Sequence, residues 1–409
     1  MGEQSKKIVI VTSGQPSLNP RAVKEADALY HAGYDVLMIY QFWNEWGTKL
    51  DKALLAGKRW KVIRIGGTPG KGTYWLSRVF HKGCLVVYRL TKGRWVAPEL
   101  VVGRCTAWLT HEACRHKADL YIAHNLAALP AAVKAAKKFR SKSGFDAEDF
   151  HRNETTNDPA SEDVKLKSAV EDHYIPQVNY LSVSSPGIRK AYTQSFPAIE
   201  PIVILNVFPI QKEIKLNEKP ASPNLKLFWF SQTIGPGRGL EDIFNALAEL
   251  NNDQIELHLL GDLPPSSKGY IASIAAGVPG LHIHSPLAPD ELFQFASQFD
   301  IGLALETGFC LNNDLALSNK IFTYMQAGLA IIASDTSAQK ALLDEFPKAG
   351  IAYKKGDSEA LTEAVSIYFR DRPLLRHTKA KSYALGREEL NWEKESLKLL
   401  SLIAELLPV

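Results

Sequence analysis

The chain has 409 residues, of which 45% are hydrophobic and 22% charged, and its formal net charge at pH 7 is +4. This composition is ordinary for a globular protein of two or three domains. No run of about 18 apolar residues occurs, which excludes a predicted membrane-spanning helix. The four cysteines form no C-x-x-C pair, so we expect unpaired thiols in a reducing compartment instead of a disulfide-stabilised fold.

Short apolar runs alternate with helical patterns along most of the chain. The first run, KKIVIVTS, is interpreted as a strand, because it is too short, and too polar beyond the run, for a signal peptide. Further strand-like runs are DVLMIYQ, KVIRIG, DLYIAH, YLSVSS and PIVILNV, then LKLFWFS, IELHLLG, LHIHSP, IGLALE, LAIIASD and GIAYKK. Buried strands alternating with amphipathic helices predict parallel sheets. Two such series therefore predict two doubly wound domains.

A polar, Pro-containing stretch at 211–224 separates the two series. The polar segment 151–172 predicts a loop that leads into a helix. The tail NWEKESLKLLSLIAELLPV predicts an amphipathic helix that packs back on the first domain. We therefore predict an N-terminal domain over 1–208, a second domain over 209–385 and a C-terminal helix within 386–409.

Residues 49–117 form a basic block, with 15 Lys and Arg residues against three acids. Six aromatic residues of this block stand out: Trp60, Trp75, Phe80, Tyr88, Trp95 and Trp108. Such a block predicts a surface for an anionic partner, namely a membrane face, a phosphorylated acceptor or nucleic acid. The alternative is an ordinary solvated face with aromatic residues in the core.

Ligands of doubly wound sheets bind at the carboxyl ends of strands, near helix N-termini. In the second series, the loop QTIGPGRGLEDIF after LKLFWFS places Gly235, Gly237 and Gly239 between a strand and a helix. Arg238, beside the backbone amides of a helix start, is predicted to contact a pyrophosphate. The alternative is a surface arginine on a tight turn. The G-x-G-x-G spacing is only a loose match to a dinucleotide-binding fingerprint.

After the strand IGLALE come the loop TGFCLNND and the helix LSNKIFTYMQAG. Glu306, which is followed by Gly308, is predicted to accept hydrogen bonds from sugar hydroxyls or to cap the nearby helix. Ser318 is the predicted N-cap, and Lys320 and Thr323 share one helix face. Because the helix dipole disfavours a lysine in the first turn, a bound anion would explain Lys320. A solvated lysine is the alternative.

Strand ends of the first domain also carry candidate groups. His124 ends the run DLYIAH and Asn125 follows it. The histidine is either structural or directed into a binding cleft. Gly14, after the first strand, permits close approach of a ligand to the backbone. Arg21 lies at the next helix start, as a cleft residue or as an exposed arginine.

Several motifs are absent from the sequence: a D-x-D pair, a G-x-S-x-G elbow, H-E-x-x-H and a Walker loop. Taken together, other segments resemble a GT-B-fold glycosyltransferase of the retaining family-4 (group 1) type over nearly the whole length. The segments are NPRAVKEADALYHAGYDVLMI, DLYIAHNLAALPAAVKAAKK, GPGRGLEDIFNAL, IELHLLGD, LSNKIFTYMQAGLAIIASD and NWEKESLKLL. The resemblance implies two Rossmann-like α/β domains facing across a cleft, with the C-terminal helix crossing back to the first. It also implies a nucleotide-sugar donor held mainly by the second domain, an acceptor held by the first, and no required metal or other cofactor.

The resemblance implies roles for individual residues as well. Arg238 and Lys320 would contact the diphosphate, and His124 would lie beside the reacting sugar. Glu306 resembles the first Glu of the family's E-x7-E motif, which contacts the donor sugar. The sequence departs from the family at Thr323, which takes the place of the second Glu that binds the ribose. Asp314, eight residues after Glu306, is the alternative replacement.

The predicted site residues fall into three sets. The catalytic set is His124, Arg238 and Lys320. The donor-binding set is Gly14, Gly237, Arg238, Glu306, Gly308, Phe309, Ser318, Asn319, Lys320 and Thr323. The acceptor-side set is Arg21, Asn125 and Asp149.

These features predict a retaining, metal-independent transferase that moves a sugar from a nucleotide sugar to a glycan or lipid-linked acceptor. We expect it in cell-surface polysaccharide or glycoconjugate synthesis, with a UDP-sugar favoured as donor and a GDP-sugar as the alternative. We expect a cytoplasmic protein without a nucleic-acid partner, with 49–117 touching the inner membrane face.

Other functions stay open. A GT-B-fold sugar-nucleotide epimerase rests on the acidic stretch FDAEDFHRNE, which contains Asp146, Glu148, Asp149 and Glu154. The hypothesis of a non-catalytic nucleotide-sugar-binding homologue rests on Thr323. The hypothesis of an NAD-dependent dehydrogenase rests on GPGRG alone.

Overall fold

A computed structural model of the protein describes residues 5–216 and 223–408. The chain divides into two units, one formed by Met1–Ile204 with Ser396–Val409 and the other by Leu205–Glu395. Residues 217–222 of the predicted linker, and the first four residues of the chain, lie outside the described residues. Each unit contains a parallel β-sheet whose strands are connected through helices, which is the doubly wound architecture that the alternating pattern predicts.

The sheet of the first unit has seven strands. They are β1 (Lys7–Thr12), β2 (Asp35–Gln41), β3 (Lys61–Ile65), β4 (Leu120–His124), β5 (Lys142–Ala147), β6 (Tyr180–Val183) and β7 (Ile202–Val203). Their order across the sheet is β3-β2-β1-β4-β5-β6-β7. The register aligns Thr12 with His124, His124 with Asp146, and Asp146 with Ser182. One row of polar side chains therefore crosses four strands near their carboxyl ends.

The sequence pattern did not predict β5, which contains Gly144. A Cβ atom at Gly144 would lie 2.0 Å from the ring of Tyr180 on the neighbouring strand. The glycine therefore makes room for a buried tyrosine, and the resulting segment KSGFDA lacks the continuous apolar run of a typical buried strand. β7 is shorter than the predicted strand PIVILNV, because only Ile202 and Val203 pair with β6.

The sheet of the second unit has six strands. They are β8 (Leu225–Thr233), β9 (Ile255–Asp262), β10 (Leu281–His284), β11 (Ile301–Ala304), β12 (Ala330–Ser334) and β13 (Gly350–Tyr353). Their order is β10-β9-β8-β11-β12-β13, with β10 and β13 at the two edges. The central strands β8, β11 and β12 contribute fully buried Leu227, Leu303 and Ile332 to one apolar core. At about 25 cal/mol per Å² of buried apolar surface, such side chains dominate the stability of the unit.

The helices of the first unit follow the strands in chain order. They are α1 (Pro20–His31), α2 (Glu45–Ala56), α3 (Gly72–Thr91), α4 (Thr106–Ala113), α5 (Leu129–Phe139), α6 (Glu162–Tyr174) and α7 (Pro186–Ser195). The predicted loop at 151–172 ends where α6 begins, at Glu162. Across the two described stretches of the chain, no helix has both the length and the apolar character needed to cross a bilayer.

The helices of the second unit begin with α8 (Leu240–Leu250), α9 (Pro265–Ile274), α10 (Leu292–Ala296) and α11 (Leu311–Leu315). They continue with α12 (Asn319–Ala327), α13 (Ser337–Glu345), α14 (Ser358–Arg370) and α15 (Arg372–Glu388). The last helix is α16 (Trp392–Leu406), whose residues from Ser396 onward group with the first unit.

Candidate active site

The glycine-rich turn between β8 and α8 lies against the end of β11. Gly239, immediately before α8, has a φ of 72°, and a Cβ atom there would lie 2.0 Å from the carbonyl oxygen of Leu305. Because only glycine fits this contact, the turn is held next to Glu306, the residue after Leu305. Arg238 in the same turn is exposed to solvent.

Glu306 is the centre of a hydrogen-bonded group at the end of β11. Its Oε1 accepts a hydrogen bond from Lys320 Nζ at 2.6 Å and one from Ser318 Oγ at 2.7 Å. Burial opposes ionisation of Glu306, but Lys320 and Ser318 outweigh this, so the pKa of the carboxyl lies below its usual value. Its other oxygen, Oε2, is buried and has no hydrogen-bond partner within the described residues. A carboxylate oxygen of this kind is available to a hydroxyl donor.

Lys320 lies in the first turn of α12, where the backbone presents positive partial charge. Its ammonium group forms the ion pair with Glu306 and lies 5.9 Å from the ring centre of Trp229, within cation–π range. The two side chains of the ion pair are only 19% and 13% exposed. Glu306 therefore supplies the negative charge that this position needs.

Ser318 occupies the N-cap position of α12, but its side chain does not cap the helix. The predicted capping role is wrong in this respect, because the hydroxyl donates to Glu306 instead. Thr323 is fully buried, and its hydroxyl donates to the backbone oxygen of Asn319 at 3.2 Å. Thr323 stays a predicted ribose contact, although its hydroxyl already donates a hydrogen bond to Asn319. Asn319 itself is exposed.

The loop between β11 and α12 contains the remaining donor-side candidates. Gly308 has a φ of 66°, and its N–H donates to the side chain of Asn313 at 2.7 Å. Phe309 is 62% exposed. Asp314 lies in α11, accepts a hydrogen bond from Lys355 at 2.9 Å and also binds Ser337. These contacts hold the pKa of Asp314 below its usual value, although its partial burial acts the other way.

In the first unit, His124 lies at the centre of a buried charged group. Its Nε2 is 3.1 Å from Glu25 Oε2, and its Nδ1 is 3.3 Å from Asp146 Oδ2 and 3.6 Å from Glu148 Oε1. Arg21 binds both oxygens of Asp146, at 2.6 and 2.7 Å, and donates to the backbone oxygen of Ile204. We call these residues, namely Arg21, Glu25, His124, Asp146 and Glu148, the His124 cluster.

The charges of the His124 cluster follow from its contacts. Burial disfavours the imidazolium form of His124, but the surrounding carboxylates outweigh this and raise its pKa well above the usual value. Burial also opposes ionisation of Asp146, but Arg21 and His124 hold the pKa of that carboxyl well below its usual range. Burial and the neighbouring Asp146 raise the pKa of Glu25. These contacts favour the imidazolium form of His124, whose Nε2 faces Glu25.

The structure overturns one of the two sequence interpretations of Arg21, and its predicted cleft role stays a prediction. Arg21 is fully buried and paired with Asp146, so the predicted alternative of an exposed helix-start arginine is wrong. Asn125, directly after β4, has a φ of 67° and accepts hydrogen bonds from Thr12 and Asn19. The N–H of Gly14 donates to the same Thr12 hydroxyl at 3.1 Å. Thr12 therefore ties these two candidates together at the ends of β1 and β4.

Asp149 lies outside the His124 cluster and belongs to a second group with His151 and Glu154. One potential ligand atom from each of these three side chains lies within 4.8 Å of the others. His151 Nδ1 is 3.3 Å from Glu154, which also accepts a hydrogen bond from Lys167. The acidic stretch FDAEDFHRNE therefore divides, with Asp146 and Glu148 beside His124 and Asp149 and Glu154 beside His151.

Residues 226–371, which lie inside the second unit, match the family described as Glycosyl transferases group 1. The second unit is a group 1 glycosyltransferase domain. The chain is therefore a glycosyltransferase, and the match covers the glycine-rich turn, Glu306 and Lys320.

Solved structures share the fold of this glycosyltransferase over its whole length. HepE of Anabaena in complex with UDP and glucose has a TM-score of 0.71 at 15% identity, covering 98% of this chain and 100% of that chain. Sucrose-phosphate synthase of Thermosynechococcus elongatus has a TM-score of 0.70 at 13% identity, covering 98% of this chain and 99% of that chain. A TarM mutant of S. aureus has a TM-score of 0.68 at 11% identity, covering 97% of this chain and 99% of that chain. These likenesses establish the GT-B fold, while no curated protein sequence matches the chain.

The glycosyltransferase brings together some of its predicted site residues. In the second unit Ser318 and Lys320 both bind Glu306, and Gly239 places Arg238 in the neighbouring turn. Sequence reasoning missed Trp229 beside Lys320 and Glu25 beside His124. The signal for Glu25 was its position four residues after Arg21 in α1, on the same helix face.

Proposed function

We propose that this chain is a retaining, metal-independent glycosyltransferase of cell-surface polysaccharide or glycoconjugate synthesis. It takes a sugar from a nucleotide sugar and transfers it to a glycan or lipid-linked acceptor. A UDP-sugar is the favoured donor, since HepE is described in complex with UDP-glucose and TarM in complex with UDP. A GDP-sugar is the second choice. A glycan acceptor draws support from TarM, which is described with Fondaparinux and alpha-GlcNAc-glycerol.

The observation that carries this proposal is the free oxygen of Glu306. A buried, ionised carboxylate oxygen without a hydrogen bond is costly, by about 1–3 kcal/mol or more. Glu306 Oε2 is such an atom within the described residues. Hydroxyl groups of a donor sugar would donate to Oε2, while Lys320 and Ser318 hold Oε1. Glu306 would thereby fix the orientation of the sugar.

The donor diphosphate would be held by cations of the second unit. Arg238 is exposed on the turn before α8, and a guanidinium can bind two phosphate oxygens at once. Lys320 has three N–H donors, of which Glu306 uses one. The start of α12 adds backbone N–H groups that its N-cap side chain leaves unbonded. These groups would stabilise the charge that develops on the departing diphosphate without a metal ion.

The proposed step breaks the bond between the anomeric carbon and the diphosphate oxygen and forms a bond from the same carbon to the acceptor oxygen. The proton of the acceptor hydroxyl moves to the departing diphosphate, which leaves as the free nucleotide. Both events occur on one face of the sugar, so the anomeric configuration is retained without a protein nucleophile. The residues of the second unit supply orientation and charge stabilisation.

The His124 cluster would serve the acceptor side. Because the surrounding carboxylates raise the pKa of His124 well above its usual value, we assign it no role as a general base. It would instead donate a hydrogen bond or hold the carboxylates around it in place. Glu148 is 18% exposed, and its Oε1 has no hydrogen bond within the described residues. We therefore assign the acceptor hydroxyl to Glu148, and Asn125 stays a predicted acceptor-side residue.

A peripheral membrane position is part of the proposal, because α3 exposes an apolar stripe. Its members recur at helical spacing and are 56–80% exposed: Trp75, Leu76, Val79, Val86 and Leu90. We call these residues the α3 stripe. Exposed basic residues lie on and just after the same helix: Arg78, Lys82, Arg89, Lys92 and Arg94. Apolar residues flanked by basic ones are typical of a helix that lies in the interface of an anionic membrane, here the inner face.

A donor screen tests the proposal directly. The full-length protein is incubated without added metal and with UDP-, GDP-, ADP- and CMP-sugars, and thermal stability is measured. We expect stabilisation by a UDP-sugar, followed by transfer to a glycan or lipid-linked acceptor with retention at the anomeric carbon. Stabilisation by none of these donors would contradict the proposed function, and an inverted product would contradict the retaining mechanism.

A sugar-nucleotide epimerase is the second candidate, because several carboxylates surround His124. The chain also resembles a putative UDP-N-acetylglucosamine 2-epimerase from Listeria monocytogenes, with a TM-score of 0.60 at 10% identity. Asp146 is a poor acid or base, however, since Arg21 binds both of its oxygens. Incubation with a UDP-sugar and no acceptor distinguishes the two functions, because only an epimerase would convert the sugar.

A further inference from the structure

Three histidines and a glutamate meet on one face of the second sheet, away from the glycine-rich turn and Glu306. Glu256 and His258 lie two residues apart on β9, so both side chains point to the same face. His282 and His284 have the same spacing on the edge strand β10. The register aligns His258 with His282, which places the imidazoles of two strands side by side.

Potential ligand atoms of this group lie close together. Donor atoms of Glu256, His258 and His282 lie within 4.8 Å of one another. His258 Nε2 is 3.2 Å from Glu256 Oε2. Two ligands at about 2.0–2.2 Å from a Zn²⁺ ion in tetrahedral geometry are separated by a comparable distance, roughly 3.2–3.6 Å. The rings of His258 and His282 are stacked, with centroids 4.5 Å apart and planes 10° apart, so the exposed His282 would turn out of this stack to direct a nitrogen at the ion.

The second nitrogen of His258 also has a fixed partner. His258 Nδ1 lies 3.0 Å from His284 Nε2, and either ring can donate according to its tautomer. A histidine that binds a metal through one nitrogen usually donates a hydrogen bond through the other, which fixes the ring. His284 is placed to accept that hydrogen bond and hold His258 with Nε2 directed at Glu256.

We propose that Glu256, His258 and His282 form a binding site for a borderline divalent cation such as Zn²⁺, with His284 as the residue that orients His258. The ligand set of two imidazoles and one carboxylate suits Zn²⁺ and Co²⁺, and it leaves a coordination position for water. The bound ion joins the edge strand β10 to β9. The site lies outside the proposed sugar-transfer chemistry, so its role is to stabilise this edge of the sheet.

Glu256 also has partners outside the histidines, since Asn224 donates a hydrogen bond to its Oε1. Lys226 Nζ lies 3.9 Å from Glu256 Oε2 and competes with the cation for that oxygen.

Two other groups in the described chain have potential ligand atoms equally close, but they are less suited to an ion. Glu25, His124 and Asp146 are fully buried, and Arg21 occupies both oxygens of Asp146. In the group of Asp149, His151 and Glu154, the histidine is buried, and Lys167 Nζ lies 3.3 Å from Glu154, closer than Lys226 lies to Glu256. At the edge of the second sheet, by contrast, His282 is exposed and gives an ion access from solvent.

The test uses the full-length protein after removal of metal by a chelator. Co²⁺ is added first and its visible absorption is recorded, and Zn²⁺ is then added to displace it. We expect saturable binding of one Co²⁺ per chain with an imidazole-type spectrum, reversed by Zn²⁺. We also expect Zn²⁺ to raise the melting temperature of the wild-type protein.

Four variants locate the ion. His282→Ala, at an exposed position that does not threaten folding, should weaken Zn²⁺ binding by about 100-fold or more, since even loss of an outer partner costs about 10- to 100-fold. His284→Ala should weaken it by about tenfold, as an orienting residue would. Lys226→Ala should strengthen it, because the competing cation is gone. His377→Ala, at an exposed histidine of α15, is the matched control and should bind Zn²⁺ as the wild type does.

Two results would overturn the proposal. One is wild-type protein that shows neither saturable Co²⁺ absorption nor a Zn²⁺-dependent melting temperature. The other is Zn²⁺ binding that His282→Ala leaves unchanged, which would place the ion on another group of the chain.

Discussion

Lys320 Nζ lies 2.6 Å from Glu306 Oε1 and joins the first turn of α12 to the end of β11. The sequence alone posed Lys320 as an electrostatic problem, because a lysine in a first turn opposes the helix dipole. The carboxylate of Glu306, 14 residues earlier in the chain, compensates the positive charge of Lys320. Removing either partner leaves the other one largely buried and unpaired, which makes the pair open to test.

Lys320→Met should lower the free energy of unfolding by about 2–4 kcal/mol, since breaking a buried ion pair exposes the cost of the remaining charge. The pKa of Glu306 is below its usual value in the wild type. The pair therefore stabilises the protein above the unfolded pKa of about 4.3, and this stability is lost as pH falls through the folded pKa. Urea denaturation from pH 8 down to about pH 2 should show the wild type and Lys320→Met converging at the acid end.

The double variant Lys320→Met, Glu306→Gln is the control for this prediction. It should recover part of the lost stability, because no buried charge is left unpaired. It should not recover donor binding, for which the proposal needs both groups. A double variant with full donor affinity would remove the pair from the donor site.

Arg238→Ala should raise the KM for the donor by about 10- to 100-fold, because it removes one or two charge-assisted hydrogen bonds to the diphosphate. Its effect on stability should be small, because Arg238 is exposed. Arg376→Ala, at an exposed arginine of α15, should change neither quantity. Steady-state kinetics together with thermal denaturation distinguish this outcome from that of a surface arginine, for which both variants would behave alike.

Two glycines of the same turn form a matched pair. Both have positive φ, but a Cβ atom at Gly237 meets nothing within 4 Å, whereas one at Gly239 lies 2.0 Å from the oxygen of Leu305. Gly237→Ala should therefore destabilise by about 1 kcal/mol, the penalty of the left-handed conformation. Gly239→Ala should destabilise by more and also weaken donor binding, because the turn must move away from Glu306. Equal effects on melting temperature would show that the turn does not pack against β11.

The fold was largely predictable from the sequence, because apolar runs mark buried parallel strands. The charged clusters were not predictable in this way. Arg21 and Asp146 are 125 residues apart in sequence, and only the alignment of β4 and β5 and the start of α1 bring them together. β5 escaped prediction because Gly144 interrupts its apolar pattern to accommodate Tyr180. Local patterns report the burial of an element, whereas ion pairs depend on register and on the partners across the sheet.

The His124 cluster should give the protein two opposite pH dependences. His124 has a raised pKa, so its contribution is complete below the unfolded pKa of about 6.5 and is lost as pH rises through the folded pKa. Asp146 has a lowered pKa, so its contribution is present above about 3.9 and is lost as pH falls through the folded pKa. The free energy of unfolding of His124→Gln should therefore approach that of the wild type at alkaline pH, and that of Asp146→Asn should approach it at acid pH.

At pH 7, Asp146→Asn should destabilise the protein by about 3–5 kcal/mol, because Arg21 is left as an uncompensated buried charge. Arg21→Met, Asp146→Leu is the matched double variant and should be closer to the wild type in stability. Denaturation curves at pH 7 compare these variants, and curves from about pH 2 to 10 follow the two opposite pH dependences. A His124→Gln variant whose deficit grows with rising pH would mean that His124 is neutral in the folded protein.

The α3 stripe should bind membranes that carry negative charge. Each exposed apolar side chain that enters the interface contributes about 1.5–3 kcal/mol when fully buried, and each nearby basic residue about 1 kcal/mol on an anionic surface. Co-sedimentation with phosphatidylglycerol vesicles should therefore exceed that with phosphatidylcholine and should decrease with salt.

Leu90→Ala, at a position that is 80% exposed, should weaken binding severalfold, and combining it with Trp75→Ala should weaken it further. Leu397→Ala, at a leucine outside the stripe that is 57% exposed, should leave it unchanged. If the two leucine variants bind vesicles equally well, the stripe does not contact the membrane, and its exposed side chains need another partner.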